Sequence, residues 1–123
     1  MWQAGNQVLL GLKTVGHAGK EIAEAAQKRG GLDSVIHNAG ITRDKTLANM
    51  DEQKWDMVIN INLGSIAKLN RYLLDNDVLK ENARIVCVSS ISGIAGNLGQ
   101  SNYATSKAGV IGLVNATAKQ LED

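Results

Sequence analysis

Apolar residues change their spacing several times along this chain, and each change predicts an element. The short apolar run at 8–12 predicts a strand. Over 18–29, Ile22, Ala25 and Ala26 recur at helical spacing among Ala, Glu and Lys, which predicts an amphipathic helix that Gly30 and Gly31 then stop. Val35 and Ile36 centre a second strand over 32–37, which ends at the turn Asn38-Ala39-Gly40. Residues 42–50 are polar and mixed and read as a loop. Asp51 stands where a helix cap is needed. From there Trp55, Val58, Ile59, Leu63, Ile66 and Leu69 keep helical spacing to about Leu74. The run 84–89, RIVCVS, is β-branched and nearly all apolar, as expected of a strand buried on both faces. Three glycines make 91–99 a loop. A long helix over 101–121 follows, with Val110, Ile111 and Leu113 along its buried side.

The order is strand, helix, strand, helix, strand, helix. That alternation predicts an α/β fold, a parallel sheet with covering helices. At 123 residues the chain is at most one small domain. A hydrophobic share of 44% supports a core, and 20% charged residues argue against disorder. A net charge of +1 makes neither nucleic acid nor an anionic membrane an expected partner. No apolar run approaches a membrane span, and no basic segment precedes the first apolar stretch as in a signal peptide. Cys87 is the only cysteine, so no internal disulfide forms, which fits a cytoplasmic setting. The chain has no proline, a hint that part of a larger domain is absent.

Sites in open α/β sheets lie beyond the carboxyl ends of the strands. Asn38 to Gly40 and Ser90 fall there, after two different strands. Tyr103 and Lys107 stand at i and i+4 near the start of the last helix, so both heads reach one pocket. The pair suits carbonyl reduction by hydride transfer, in which the oxygen needs a proton donor and a hydrogen bond. A free phenol, with a pKa of ~10, is poorly matched to neutral pH, and a nearby ammonium favours its ionised form. Lys107 supplies that ammonium. Each residue alone has a plainer reading: Tyr and Lys as helix surface, Ser90 as a turn residue, Asn62 as a tolerated polar residue, Asn38-Ala39-Gly40 as an ordinary turn. Their joint occurrence in this order carries the functional reading. Cys87 reads as a strand residue rather than a nucleophile. His17 and His37 read as structural or solvent-facing, and with one cysteine they make no metal signature. The stretch TVGHAGKE fails as a phosphate loop, because Thr14 and Glu21 replace required residues.

Tyr103 and Lys107 in YATSK, Ser90 thirteen residues earlier, Asn62 and the HNAG turn together resemble the short-chain dehydrogenase/reductase family. The stretches NAGITRDKTLANM and SSISGIAGNLGQSNYATSKAGVIGL are most similar to the bacterial 3-oxoacyl-acyl-carrier-protein reductases within it. The likeness spans roughly residues 18–123. It implies a partial Rossmann-like, doubly wound parallel sheet, in which the strands at 8–12, 32–37 and 84–89 match strands 3, 4 and 5 of the order 3-2-1-4-5-6-7.

The resemblance implies catalytic roles for Asn62, Ser90, Tyr103 and Lys107. Ser90 would bond the substrate oxygen, Lys107 the nicotinamide ribose, and Asn62 a water that links Lys107 to solvent. It places Asn38, Ala39, Gly40, Ile61, Tyr103 and Lys107 at the cofactor, and Ser90, Gln100 and Tyr103 at the substrate. The implied reaction reduces a 3-oxoacyl thioester, carried by acyl-carrier protein or coenzyme A, in fatty acid synthesis. NADPH is the implied cofactor, with NADH left open. A sugar, steroid or small ketone is the alternative substrate, and an inert dimerising module the alternative class. The helices over 51–74 and 101–121 would form the contact of a homodimer or tetramer. The family's TGxxxGxG loop has no counterpart here, Gly11 stands where an adenine-contacting side chain is usual, and the substrate lid is absent. Residues 1–123 are therefore expected to be one incomplete domain, the middle segment of a reductase and inactive alone.

Overall fold

A computed structural model describes residues 18–122; the strand expected at 8–12 and His17 lie outside them. The chain divides into two compact units, Met1–Val35 with Lys68–Arg84 and Ile36–Ala67 with Ile85–Asp123.

In the first unit, helix α1 (Ala18–Gln27) is followed by strand β1 (Leu32–His37), whose first four residues belong here. Gly30 and Gly31 end α1 with φ of 85° and 101°, left-handed values that glycine adopts at low cost. Gly31 is also a close approach: a Cβ there would lie 2.8 Å from the Val78 carbonyl oxygen. Ala23 and Ala26 are the buried residues of α1, with Ile22 and Ala25 only part-buried. They pack with Leu73 and Val78, and Leu32, Val35, Leu69, Tyr72 and Leu79 close around them. Small residues on α1 let helix α3 (Ser65–Asp75) approach: a Cβ on Gly19 would stand 3.5 Å from Leu69 Cδ1.

The strands β1 and β2 (Leu79–Cys87) form a two-stranded sheet. Leu32 N–H donates to Val78 O at 2.8 Å, and Val88 N–H donates to His37 O at 3.1 Å, so the strands are parallel. Between these bonds β1 advances five residues and β2 ten. Asn82, at φ 61°, sits within the longer run, in a conformation Asn tolerates. β2 thus begins five residues before the expected strand.

The second unit holds the rest. Asp51 caps helix α2 (Glu52–Ile59), its carboxylate accepting from Lys54 N–H at 2.7 Å. The helix expected to run unbroken to Leu74 is interrupted by a π-helical turn, Asn60–Gly64, before α3 begins. Periodicity could not show this, because one wider turn shifts the apolar stripe by a single residue. The expected loop at 91–99 contains a short helix α4 (Ser92–Ala95), which packs on helix α5 (Ser101–Gln120).

Two burial expectations are corrected. The 84–89 strand is not buried on both faces: Val86 is 48% exposed and Val88 40%, and on β1 Ile36 is 66% exposed. The described residues cover only one side of these strand ends, so burial alternates along the strand. Of the apolar residues expected along the buried side of α5, only Val110 is fully buried; Leu113 is half-buried and Ile111 lies at the surface. Most buried residues of α5 are instead polar: Asn102, Ser106 and Lys107.

Candidate active site

All the site residues expected from the sequence belong to the second unit. Asn38, Ala39 and Gly40 follow β1 and are exposed. Next to them stands Asn62, fully buried in the π-helical turn. Its carboxamide clamps Ile41: Oδ1 accepts from Ile41 N–H at 2.8 Å and Nδ2 donates to Ile41 O at 2.9 Å. Nδ2 also donates to Ser106 Oγ at 3.2 Å. The wider π turn brings a polar side chain inward between apolar turns, a local irregularity common at functional sites. Ile61, on the same turn, is half-buried, and its carbonyl accepts from the Ser65 hydroxyl.

Lys107 is 4% exposed. A buried ammonium needs partners, and its Nζ donates to Val88 O at 3.0 Å. It also lies 5.7 Å from the centroid of the Tyr103 ring, within reach of a cation–π contact. The i, i+4 spacing therefore does bring the two heads together. Gly40 completes the cluster. A Cβ on it would stand 3.3 Å from Asn62 Oδ1 and 3.4 Å from Lys107 Nζ, so the turn lies directly on the two polar heads.

Ser90 and Gln100 are held by a second set of bonds. Ser90 Oγ accepts from Ser92 N–H at 3.2 Å and keeps its own proton to donate. Ser92 Oγ donates to Gln100 Oε1 at 3.1 Å, which also accepts from Asn97 Nδ2 at 3.0 Å. Gln100 Nε2 donates to Asp44 at 3.1 Å, beside the bond from Lys45 N–H to Gly99 O. The carboxamide of Gln100 thus ties loop 96–100 to the 42–50 loop.

The sequence reading missed Asn102, Ser106 and Gly93. Asn102 and Ser106 are fully buried and bridge α5 to its neighbours; their signal was a polar i, i+4 pair in a helix otherwise read for its apolar residues. Cys87 is half-buried. Burial pushes its thiol up, and the Lys107 ammonium pulls it the other way, a charged neighbour the sequence did not reveal. No group of three or more His, Cys, Asp or Glu among the described residues is arranged to hold a metal. No described helix is long and apolar enough to cross a membrane.

A family model described as short chain dehydrogenase matches residues 13–123. The chain belongs to the short-chain dehydrogenase family. That is a family of oxidoreductases, and the α/β fold with its parallel strand pair agrees with its Rossmann-like architecture. A 3-oxoacyl-[acyl-carrier-protein] reductase of Thermotoga maritima is 48% identical over 103 residues, which are 83% of this chain and 42% of that protein. An acetoacetyl-CoA reductase of Acinetobacter is 38% identical over 99 residues, 80% of this chain and 40% of that one. A crystal structure of a short-chain dehydrogenase/reductase, glucose/ribitol dehydrogenase, from Brucella melitensis superimposes with a TM-score of 0.82 at 26% identity, over 89% of this chain and 46% of that one. The chain spans about two fifths of the length of the curated relatives it matches.

Proposed function

We propose that this short-chain dehydrogenase chain carries the catalytic residues of an NADPH-dependent reductase of 3-oxoacyl thioesters. The observation that carries the reading is the cluster of Lys107 Nζ, the Tyr103 ring and Asn62 against Gly40. The similarity to 3-oxoacyl-[acyl-carrier-protein] and acetoacetyl-CoA reductases supports the thioester class. Their two carriers leave acyl-carrier protein and coenzyme A as the alternatives to be separated by assay.

The residues present fit the nicotinamide end of the cofactor. Gly40, without a Cβ, keeps the turn close against two polar heads and leaves them uncovered by a side chain, Asn38 and Ala39 are open to solvent, and an ammonium carries three donors, of which the Val88 bond uses one. Asn38, Ala39, Gly40, Ile61, Tyr103 and Lys107 would hold it. Bound there, the nicotinamide would supply a hydride to the carbonyl carbon. Tyr103 Oη donates its proton to the carbonyl oxygen as charge develops, which completes the hydroxyl group. Ser90 donates a second hydrogen bond to that oxygen. Lys107 orients the ribose hydroxyls and keeps positive charge beside the phenol. Asn62, through the Ile41 backbone, holds the turn on which the ribose would rest, and a water at the π turn would pass a proton by way of Lys107 back to the Tyr103 phenolate, which restores the acid.

The exposed apolar residues Ile111 and Val114 on α5 support a contact between copies of the chain along this helix. Light scattering reads it directly, as a dimer or tetramer mass that shifts toward monomer in Ile111→Lys.

The function is tested by NADPH titration followed through Trp55 fluorescence, and by turnover of acetoacetyl thioesters of both carriers in the full-length protein. Tyr103→Phe is expected to lower kcat on the order of 10²–10⁴-fold with the fold intact. Full turnover by Tyr103→Phe, or turnover of sugars or ketones alone, overturns the reading.

A further inference from the structure

Helix α5 carries two polar pairs at i, i+4, one residue out of phase. Tyr103 and Lys107 form the first. The second, Asn102 and Ser106, is 0% exposed at both positions. Asn102 Nδ2 donates to Arg43 O at 3.0 Å and to Lys54 O at 3.3 Å, with Met50 Sδ at 3.4 Å. Its Oδ1 accepts from Tyr103 N–H at 2.8 Å. Ser106 Oγ donates to Tyr103 O at 2.7 Å and accepts from Asn62 Nδ2 at 3.2 Å. Both backbone groups of Tyr103 are therefore gripped, the N–H by one member of the pair and the carbonyl by the other.

The apolar residues of α5 do not by themselves fix its rotation. Val110 is buried, Leu113 half-buried, and Ile111 and Val114 lie at the surface, so they are spread around the helix rather than gathered in one stripe. Apolar contact is non-directional, whereas hydrogen bonds demand distance and angle. A helix turns by about 100° per residue, with 3.6 residues to the turn. A small rotation of α5 would therefore sweep the Tyr103 and Lys107 heads away from Gly40.

We propose that Asn102 and Ser106 are positioning residues. Their hydrogen bonds lock the rotation of α5 and so aim the Tyr103 phenol and Lys107 ammonium at the site. The proposal rests on the functional reading above only for its catalytic consequence; the lock itself is a matter of structure.

The test uses the full-length protein with Ser106→Ala, and with Ser106→Cys, which keeps the volume and a weak donor and serves alone if the alanine variant does not fold. Two readouts are taken. The first is the ¹H–¹⁵N signal of the Asn62 side-chain amide without nucleotide. It is expected to shift and to exchange faster with solvent in Ser106→Ala, and to lie nearer the wild-type position in Ser106→Cys. The second is the split of kinetic constants, corrected for folded protein. In Ser106→Ala, kcat is expected to fall on the order of 10- to 100-fold while KM for the thioester changes less than about threefold, with partial recovery in Ser106→Cys. An unmoved Asn62 amide overturns the lock. A kcat per folded molecule that stays at the wild-type value, with the amide moved, overturns its role in aiming the site. If the wild-type protein reduces no 3-oxoacyl thioester, the functional reading fails, and the lock is still decided by the Asn62 amide.

Discussion

Gly93 in α4 touches the backbone of Lys107: a Cβ at Gly93 would lie 2.8 Å from the Lys107 carbonyl carbon and 2.8 Å from the Ala108 nitrogen. Backbone atoms in a helix do not step aside as a side-chain tip does. The short helix after Ser90 is thus pressed onto the part of α5 that bears the lysine.

Gly93→Ala should therefore push α4 off α5. The expected cost is about 1–3 kcal/mol, the range for overpacking a tight contact, with a loss of nucleotide affinity because Lys107 moves. Chemical denaturation and NADPH titration check both effects. An alanine variant of wild-type stability and affinity would show that α4 makes no such contact.

Asn62→Ala should destabilise the second unit, because it removes the partners of both Ile41 backbone groups at once. Leaving part-buried backbone groups unsatisfied costs about 1–3 kcal/mol. Hydrogen exchange at the Ile41 amide is the direct measurement, expected to be faster in the variant. Unchanged protection would mean that the amide is held by something other than Asn62.

Asp51 gives a pH-dependent prediction. Hydrogen bonds from the Lys54 side chain and backbone hold its carboxyl below the usual carboxylate range. A depressed folded value means that its contribution is complete above the unfolded value of about 3.9 and fades as the pH falls through the lower folded one. The melting difference between wild type and Asp51→Ala should thus be present at neutral pH and shrink below about pH 4. A difference that grows on acidification would contradict the cap.

Cys87 should alkylate slowly. Burial raises its thiol above the ordinary value, and the pull of Lys107 only partly opposes this. The iodoacetamide rate at Cys87 should reach half its maximum above about pH 8.5, the value of a free thiol. A midpoint near neutrality would mark a reactive thiolate.

The chain's local pattern determined much of this. Gly30 and Gly31 stop α1 because only glycine accepts their φ cheaply, Asp51 caps α2 because its carboxylate reaches Lys54 N–H, and Tyr103 and Lys107 share a helix face because 3.6 residues make a turn. These are short-range effects, set within a few residues, and they were legible. The NAG turn and Ser90 follow strands whose ends the pattern marks, whereas Asn62 and the YATSK segment lie inside predicted helices and were recognisable through their resemblance to a family.

What the sequence left open depends on partners far along the chain. The π turn at Asn60–Gly64 brings in Asn62 to clamp Ile41, 21 residues away. Ser106 meets Asn62 across 44 positions, and Asn102 meets Arg43 across 59. Exposure along the strands is likewise decided by which side another element covers, so Val86 and Val88 are open where their composition predicted burial. Periodicity reports the face a residue occupies on its own element. Only the tertiary structure decides what that face meets, because long-range hydrogen bonds and close backbone contacts such as Gly93 against Lys107 exist only once distant segments are packed together.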